Sequence, residues 1–177
     1  VAAGVWQAVI KQGRLAGSTR WAWHRLQPSD GDTPWDALAR GLKETFQLSA
    51  RPRLMTASST LRDLLAQHLS PCQELILFVD QFEELFTSGF KEPDIQMFLE
   101  LLIGTAQDQT NRLRVISTIR SEFLGQLEVY ESTLKLLNSQ YGYHLGPVSP
   151  RMLQEMIEKP AGATGYSFEP RLVERIL

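Results

Sequence analysis

The sequence predicts an α/β fold built on a mostly parallel sheet. Two observations carry that prediction. Leu75-Ile76-Leu77-Phe78-Val79 is an unbroken apolar run that ends at Asp80. A run of that length bounded by polar residues suits a strand buried on both faces, the kind found in parallel sheets covered by helices. Segments with strand character also alternate along the chain with segments of helical periodicity, and that order makes neighbouring strands parallel.

Taken in order, residues 1–13 place Val5, Trp6, Val9 and Ile10 on one helical face, with Gly13 as a terminator. Residues 20–26 alternate loosely through Trp21, Trp23 and Leu26 and read as a strand. A turn-rich loop, Pro28-Ser29-Asp30-Gly31-Asp32, follows. Thr33-Pro34-Trp35-Asp36 then opens a helix: Thr33 caps, Pro34 takes the first helical position, and Asp36 stands where a capping-box acid belongs. Its buried stripe is Trp35, Leu38, Ala39, Leu42 and Phe46. Core packing, rather than base stacking, accounts for the tryptophans.

Residues 50–57 read as a loop. A helix after Ser59 carries Leu61, Leu64, Leu65 and Leu69 and stops at Pro71. The apolar strand follows over residues 74–80, then a short helix through Leu85 and Phe86 to Gly89. Pro93 opens a longer helix with Ile95, Phe98, Leu99, Leu102, Ile103 and Ala106 at helical spacing. A turn at Asn111 leads to a strand over residues 113–119 that ends at Arg120. Helical stretches around residues 123–127 and 133–137 precede a short strand over 141–145. Ser149-Pro150 starts a helix bearing Met152, Leu153, Met156 and Ile157, which residues 160–165 break, and Pro170 opens a last helix with Leu172, Val173, Ile176 and Leu177. There is no internal repeat and no low-complexity segment.

The chain has 177 residues, enough for one domain with a sizeable core. A net charge of −2 gives no basic excess to draw nucleic acid or a membrane surface. The single cysteine, Cys72, cannot form an intrachain disulfide, which favours a reducing compartment such as the cytoplasm. No apolar run reaches membrane-spanning length and no signal peptide is visible.

The chemistry concentrates at two strand ends. Ligands of open α/β sheets lie beyond the carboxyl ends of the strands, and Asp80 and Arg120 both stand there. Adjacent strands are about 4.8 Å apart, so both side chains would face one crevice. A carboxylate there suits a hard cation bound through oxygen, and a guanidinium matches phosphate geometry. Structural roles remain open for each. Glu83 and Glu84 could simply complement a helix dipole, Arg120 could bridge to Glu122 or Glu84, and Thr118 could be an ordinary β-branched strand residue. Phe82 and Leu85 must both find core, which limits the rotation of the short helix and slightly favours Glu84 over Glu83 in the crevice. Other chemistries are poorly supported. His24, His68 and His144 lack metal-ligand spacing, no G-x-S-x-G elbow is present, and adjacent glutamates do not make a glycosidase pair.

Three segments in this order, LILFVDQFEELF (75–86), VISTIRSEF (115–123) and EMIEKPAGATGYSF (155–168), give the chain a family likeness. It resembles the STAND class of signal-transduction P-loop NTPases, in particular the novel STAND group often fused to WD-repeat propellers. The resemblance spans essentially the whole chain. It implies a three-layer parallel sheet of the P-loop (ASCE) type, in which the strand ending at Asp80 lies between those at 20–26 and 113–119. The 141–145 strand would then be separated by a gap or shifted over to fill it. Carried across, Asp80 would be the Walker B acid for Mg²⁺. Glu83 and Glu84 would be the candidates for orienting the attacking water, and Arg120 the sensor of the γ-phosphate. The substrate would be ATP or GTP, ATP ahead of GTP. Partners would be other protein domains, a WD-repeat propeller among them, with oligomerisation on activation and with neither nucleic acid nor membrane bound directly.

Two parts of the family pattern are absent: the lid proline that contacts adenine in this class would lie beyond Leu177, since Pro160 follows a glutamate–lysine pair and not the expected glycine context, and no G-x-x-x-x-G-K-[ST], not even a Gly-Lys dipeptide, occurs in the sequence. In the family that loop precedes a helix like residues 1–13. The chain is therefore expected to be a piece lacking the first strand and the Walker A loop, with residues 1–147 a partial core and 148–177 the start of the helical lid. The leading functional expectation is a conformational switch driven by Mg-dependent nucleotide binding and hydrolysis. The alternative is a non-catalytic scaffold on a degenerate core, and a third reading, an origin-recognition or helicase-like ATPase, fits the charge balance less well.

Overall fold

A computed structural model describes residues 20–54, 58–108, 112–137, 142–169 and 171–177. The chain divides into two compact units, Val1–Gln140 and Tyr141–Leu177. The helix read over residues 1–13 and the turn at Asn111 lie outside the described residues.

The first unit is organised on three parallel strands, β1 (Arg20–Leu26), β2 (Gln73–Val79) and β3 (Leu113–Ser117), in the order β1-β2-β3. The apolar run thus takes the central position, where both neighbours satisfy its backbone. Register pairs Arg25 with Phe78 and Leu26 with Val79 on one side, and Val79 with Ser117 on the other. Every residue from Leu75 to Val79 is without solvent exposure, as the absence of alternation required. Leu75, Leu77 and Val79 enter the main core, while Phe78, on the opposite face, stacks on Trp23 at 5.7 Å between centroids.

Helix α1 (Pro34–Phe46) begins as its residues dictate: Thr33 Oγ1 accepts from the Asp36 N–H at 3.1 Å and Pro34 stands in the first turn. The reciprocal half of a capping box does not form, because the Asp36 carboxylate pairs with Arg40 and Arg51 instead. Leu38, Ala39 and Leu42 are buried, with Trp35 and Phe46 packed at the core margin. Helix α2 (Ser58–His68) starts slightly earlier than the sequence suggests and packs on α4 (Glu92–Gln107), which also meets α1 and β3. Between them, α3 (Glu84–Thr87) is a single turn closed at Gly89, whose φ of +76° suits glycine. Two more short helices, α5 (Leu124–Leu127) and α6 (Glu131–Leu137), follow β3.

In the second unit, α7 (Pro150–Ala163) is capped by Ser149, which accepts from the Met152 N–H at 3.3 Å, and α8 (Leu172–Ile176) ends the chain. No helix among the described residues is long and apolar enough to cross a membrane.

Two expectations are corrected. Strand β3 stops at Ser117, two residues short, because β2 itself turns away after Val79 and leaves residues 118–119 without an extended partner on that side. Residues 142–145 form no strand, and Tyr141 lies outside the described residues. Tyr143 and Leu145 are 87% and 75% exposed, and their alternation cannot hold an extended segment that has no ladder to join. Helix α7 does end within residues 160–165, as read, running through Pro160 to Ala163 with its cap at Thr164. A proline so near the C-terminus removes one backbone bond, and the Thr164 hydroxyl donates back to the Pro160 and Ala161 carbonyls at 3.1 and 2.9 Å.

Candidate functional site

The carboxyl edge of the sheet is shaped by how β2 ends. Gln81 adopts a left-handed conformation, φ +54°, which turns the chain sharply after Asp80 and delivers residues 82–84 back over the edge. Thr118, just past β3, ties this turn down. Its N–H donates to the Val79 carbonyl at 3.0 Å and its carbonyl accepts from the Phe82 N–H at 2.8 Å. Its hydroxyl accepts from the Gln81 N–H at 3.2 Å and donates to Asp80 Oδ1 at 2.6 Å. Phe82 and Leu85 are both buried, as the short helix required.

Asp80 receives a second partner from β1. Arg25 Nε and Nη2 both donate to Asp80 Oδ2, at 3.1 and 2.8 Å. Burial pushes the Asp80 carboxyl up, but the hydrogen bonds from Thr118 and Arg25, the Arg25 charge and the Gln81 N–H outweigh it and hold the group below the usual carboxylate range. Asp80 is therefore ionised at neutral pH and supplies hard oxygen donors. Among the described residues no three His, Cys, Asp or Glu side chains cluster to hold a metal by themselves. A lone ionised carboxylate beside a hydroxyl still fits Mg²⁺, which keeps most of its waters and takes one or two carboxylates plus phosphate oxygens.

The two glutamates diverge. Glu84 reaches toward the β1 side, where its Oε2 accepts from the Ser29 N–H at 3.1 Å and the Ser29 hydroxyl at 2.6 Å. Glu83 turns toward the β3 side, and its Oε1 accepts from Arg120 Nε at 3.0 Å. Only 9% of its side chain is exposed, and Oε2 is buried with no hydrogen-bond partner among the described residues. Gln81, Glu83, Thr118, Ile119 and Arg120 line a shallow depression. The slight preference for Glu84 in the crevice beside Arg120 is thus reversed: Phe82 and Leu85 do fix the rotation, but the two Ser29 donors capture Glu84.

Arg120 meets Glu83 rather than Asp80 across the edge. It also lies 3.4 Å from Glu122 and sits over the Phe123 ring, its guanidinium carbon 5.2 Å from the centroid. Asp80, Glu83, Glu84 and Arg120 therefore all gather at one edge, in two ion-paired sets: Arg25 with Asp80, and Arg120 with Glu83. Arg25, Ser29 and the hydroxyl role of Thr118 were not anticipated. For Arg25 the signal was present: a cation one residue before the end of a strand, in the strand parallel to the one that delivers Asp80.

The model of the family Novel STAND NTPase 1 matches residues 1–177. No curated protein matches, and no solved structure does. The sheet is parallel, its central apolar strand leads directly into Asp80, and the family match spans residues 1–177: the chain belongs to the novel STAND NTPase 1 family.

Proposed function

We propose that this chain forms the nucleotide-binding core of a signal-transduction NTPase that works as a conformational switch, through Mg-dependent binding and hydrolysis of a nucleoside triphosphate, ATP ahead of GTP. The observation that carries the reading is the convergence of Asp80, Glu83 and Arg120 at the carboxyl edge of β2 and β3, where α/β sheets bind their ligands. Asp80 would hold Mg²⁺, which would neutralise phosphate charge. Glu83 would orient the attacking water: its Oε2 is an acceptor unused by the other described residues, whereas both donors of Ser29 occupy Glu84. Arg120 would move from Glu83 to the γ-phosphate, exchanging one charge-assisted partner for another. Residues 148–177 would serve as the start of a lid, and the remaining partners would be other protein domains.

The test uses a protein that carries this chain together with a phosphate-binding loop. Asp80→Ala is expected to weaken Mg-dependent nucleotide binding. Glu83→Gln is expected to keep binding and lose turnover in single-turnover hydrolysis. Equal hydrolysis by wild type and by Glu83→Gln, Glu84→Gln removes both acids from the mechanism.

A further inference from the structure

We infer that Arg25 serves as an internal counter-cation at Asp80 and must be displaced for a divalent metal ion to bind there. The inference rests on the proposed role of Asp80 as the metal carboxylate and adds a regulatory step to it. The geometry leaves Oδ2 fully occupied. Oδ1 accepts from the Thr118 hydroxyl at 2.6 Å, and Oδ2 accepts from both Nη2 and Nε of Arg25, at 2.8 and 3.1 Å.

Arg25 is placed by the sheet itself. Its register partner is Phe78, so it stands level with a residue two before Asp80, and its side chain runs forward along the edge to reach the carboxylate. The Asp80 N–H donates to the Leu26 carbonyl at 2.8 Å, which holds the two strand ends together around this pair. A metal ion binds a carboxylate oxygen at about 2.0–2.1 Å. A guanidinium on the same oxygen would then lie within a few ångströms of a second positive centre, with strong repulsion. The two occupants are mutually exclusive on Oδ2.

The pair is also poised to exchange. The Arg25 side chain is 48% exposed and that of Asp80 23%, so solvent screens the ion pair and keeps it from being permanent. Arginine does not lose its proton in the accessible pH range. Release of Arg25 therefore comes from competition by another cation and not from titration. Metal affinity at this edge is set by the difference between two cations for one oxygen.

The test is titration with Mn²⁺ of a protein that carries this chain together with a phosphate-binding loop, followed by loss of the free-ion electron paramagnetic resonance signal, with and without a non-hydrolysable ATP analogue. Mg²⁺ competition checks specificity, and a thermal melt of each variant checks folding. Arg25→Gln is expected to tighten Mn²⁺ binding roughly five- to tenfold. Adding Asp80→Asn to it should abolish the gain, and Arg25→Lys should fall between Arg25→Gln and wild type. A second measurement stands even if Arg25→Gln fails to fold: the Nε–H resonance of Arg25 in the wild type should move on Mg²⁺ titration and stay still in Asp80→Asn. Unchanged or weaker Mn²⁺ affinity in folded Arg25→Gln, with binding still lost in Asp80→Asn, overturns the displacement and leaves the metal role intact. An Arg25 resonance that stays still in the wild type while Mn²⁺ binds does the same. Binding unaffected by Asp80→Asn, or no binding by any variant at millimolar metal, overturns both.

Discussion

Glu83 and Arg120 depend on one another unequally. The carboxylate is almost wholly buried, whereas the Arg120 side chain is 62% exposed and has Glu122 as a second partner. Removing Arg120 strands a buried charge, while removing Glu83 leaves an arginine that water can solvate. Arg120→Met is therefore expected to lower the unfolding free energy by about 1–2 kcal/mol, a figure kept modest by solvent access. Glu83→Gln in that background should recover most of the loss, because the neutral amide needs no counter-ion. Urea unfolding of the two single variants and the double checks this. Strictly additive effects would mean that the pair is not coupled. Neither this asymmetry nor the split between Glu83 and Glu84 could be read from adjacent letters, since the Ser29 donors that capture Glu84 lie 55 positions away in sequence. Arg25 and Asp80 are equally far apart in sequence, and only the parallel placement of their two strands joins them.

At the scale of elements, β1 and α1 meet through an unusually close approach. A Cβ placed on Gly41 would lie 2.1 Å from His24 Nε2, so the glycine in α1 makes room for an imidazole from β1. Burial lowers the pKa of His24, partly offset by the Glu44 and Asp30 charges. An alanine at 41 should improve helix propensity by about 1 kcal/mol, yet overpacking typically costs about 1–3 kcal/mol. Net destabilisation of Gly41→Ala is the expected outcome, reversed when His24→Ala is added, by thermal unfolding monitored by circular dichroism. Stabilisation by Gly41→Ala alone would show that His24 swings clear at no cost. The elements themselves were largely legible. The apolar run of β2, the aromatic alternation of β1 and the Thr33-Pro34 start of α1 are local signals that tertiary packing reinforces. What failed was non-local. Residues 141–145 look like a strand in isolation, but a strand exists only with a neighbour, and none pairs with the described part of that segment.

Over the whole molecule, the edge brings together an acid and an arginine, proposed above for metal and phosphate, while the sequence holds no loop of the G-x-x-x-x-G-K-[ST] type. Backbone N–H groups and a lysine of that kind provide most donors around a triphosphate. With each charge-assisted bond worth roughly 1.5–3 kcal/mol, lacking several of them reduces affinity by powers of ten. Residues 1–177 alone are therefore expected to bind Mg²⁺ and a non-hydrolysable ATP analogue no tighter than the millimolar range in calorimetric titration. Micromolar binding would place the phosphate site elsewhere in the chain. The tie made by Thr118 has a consequence of another kind, a mechanical one. Its N–H, its carbonyl and the two bonds of its hydroxyl grip Val79, Phe82, Gln81 and Asp80 from a single residue. Pulling the exit of β2 away from β3 would load these four bonds side by side, like a shear pin, so that they hold together and fail together. Force arriving along either strand end would then leave the edge intact up to a threshold and open it all at once beyond that.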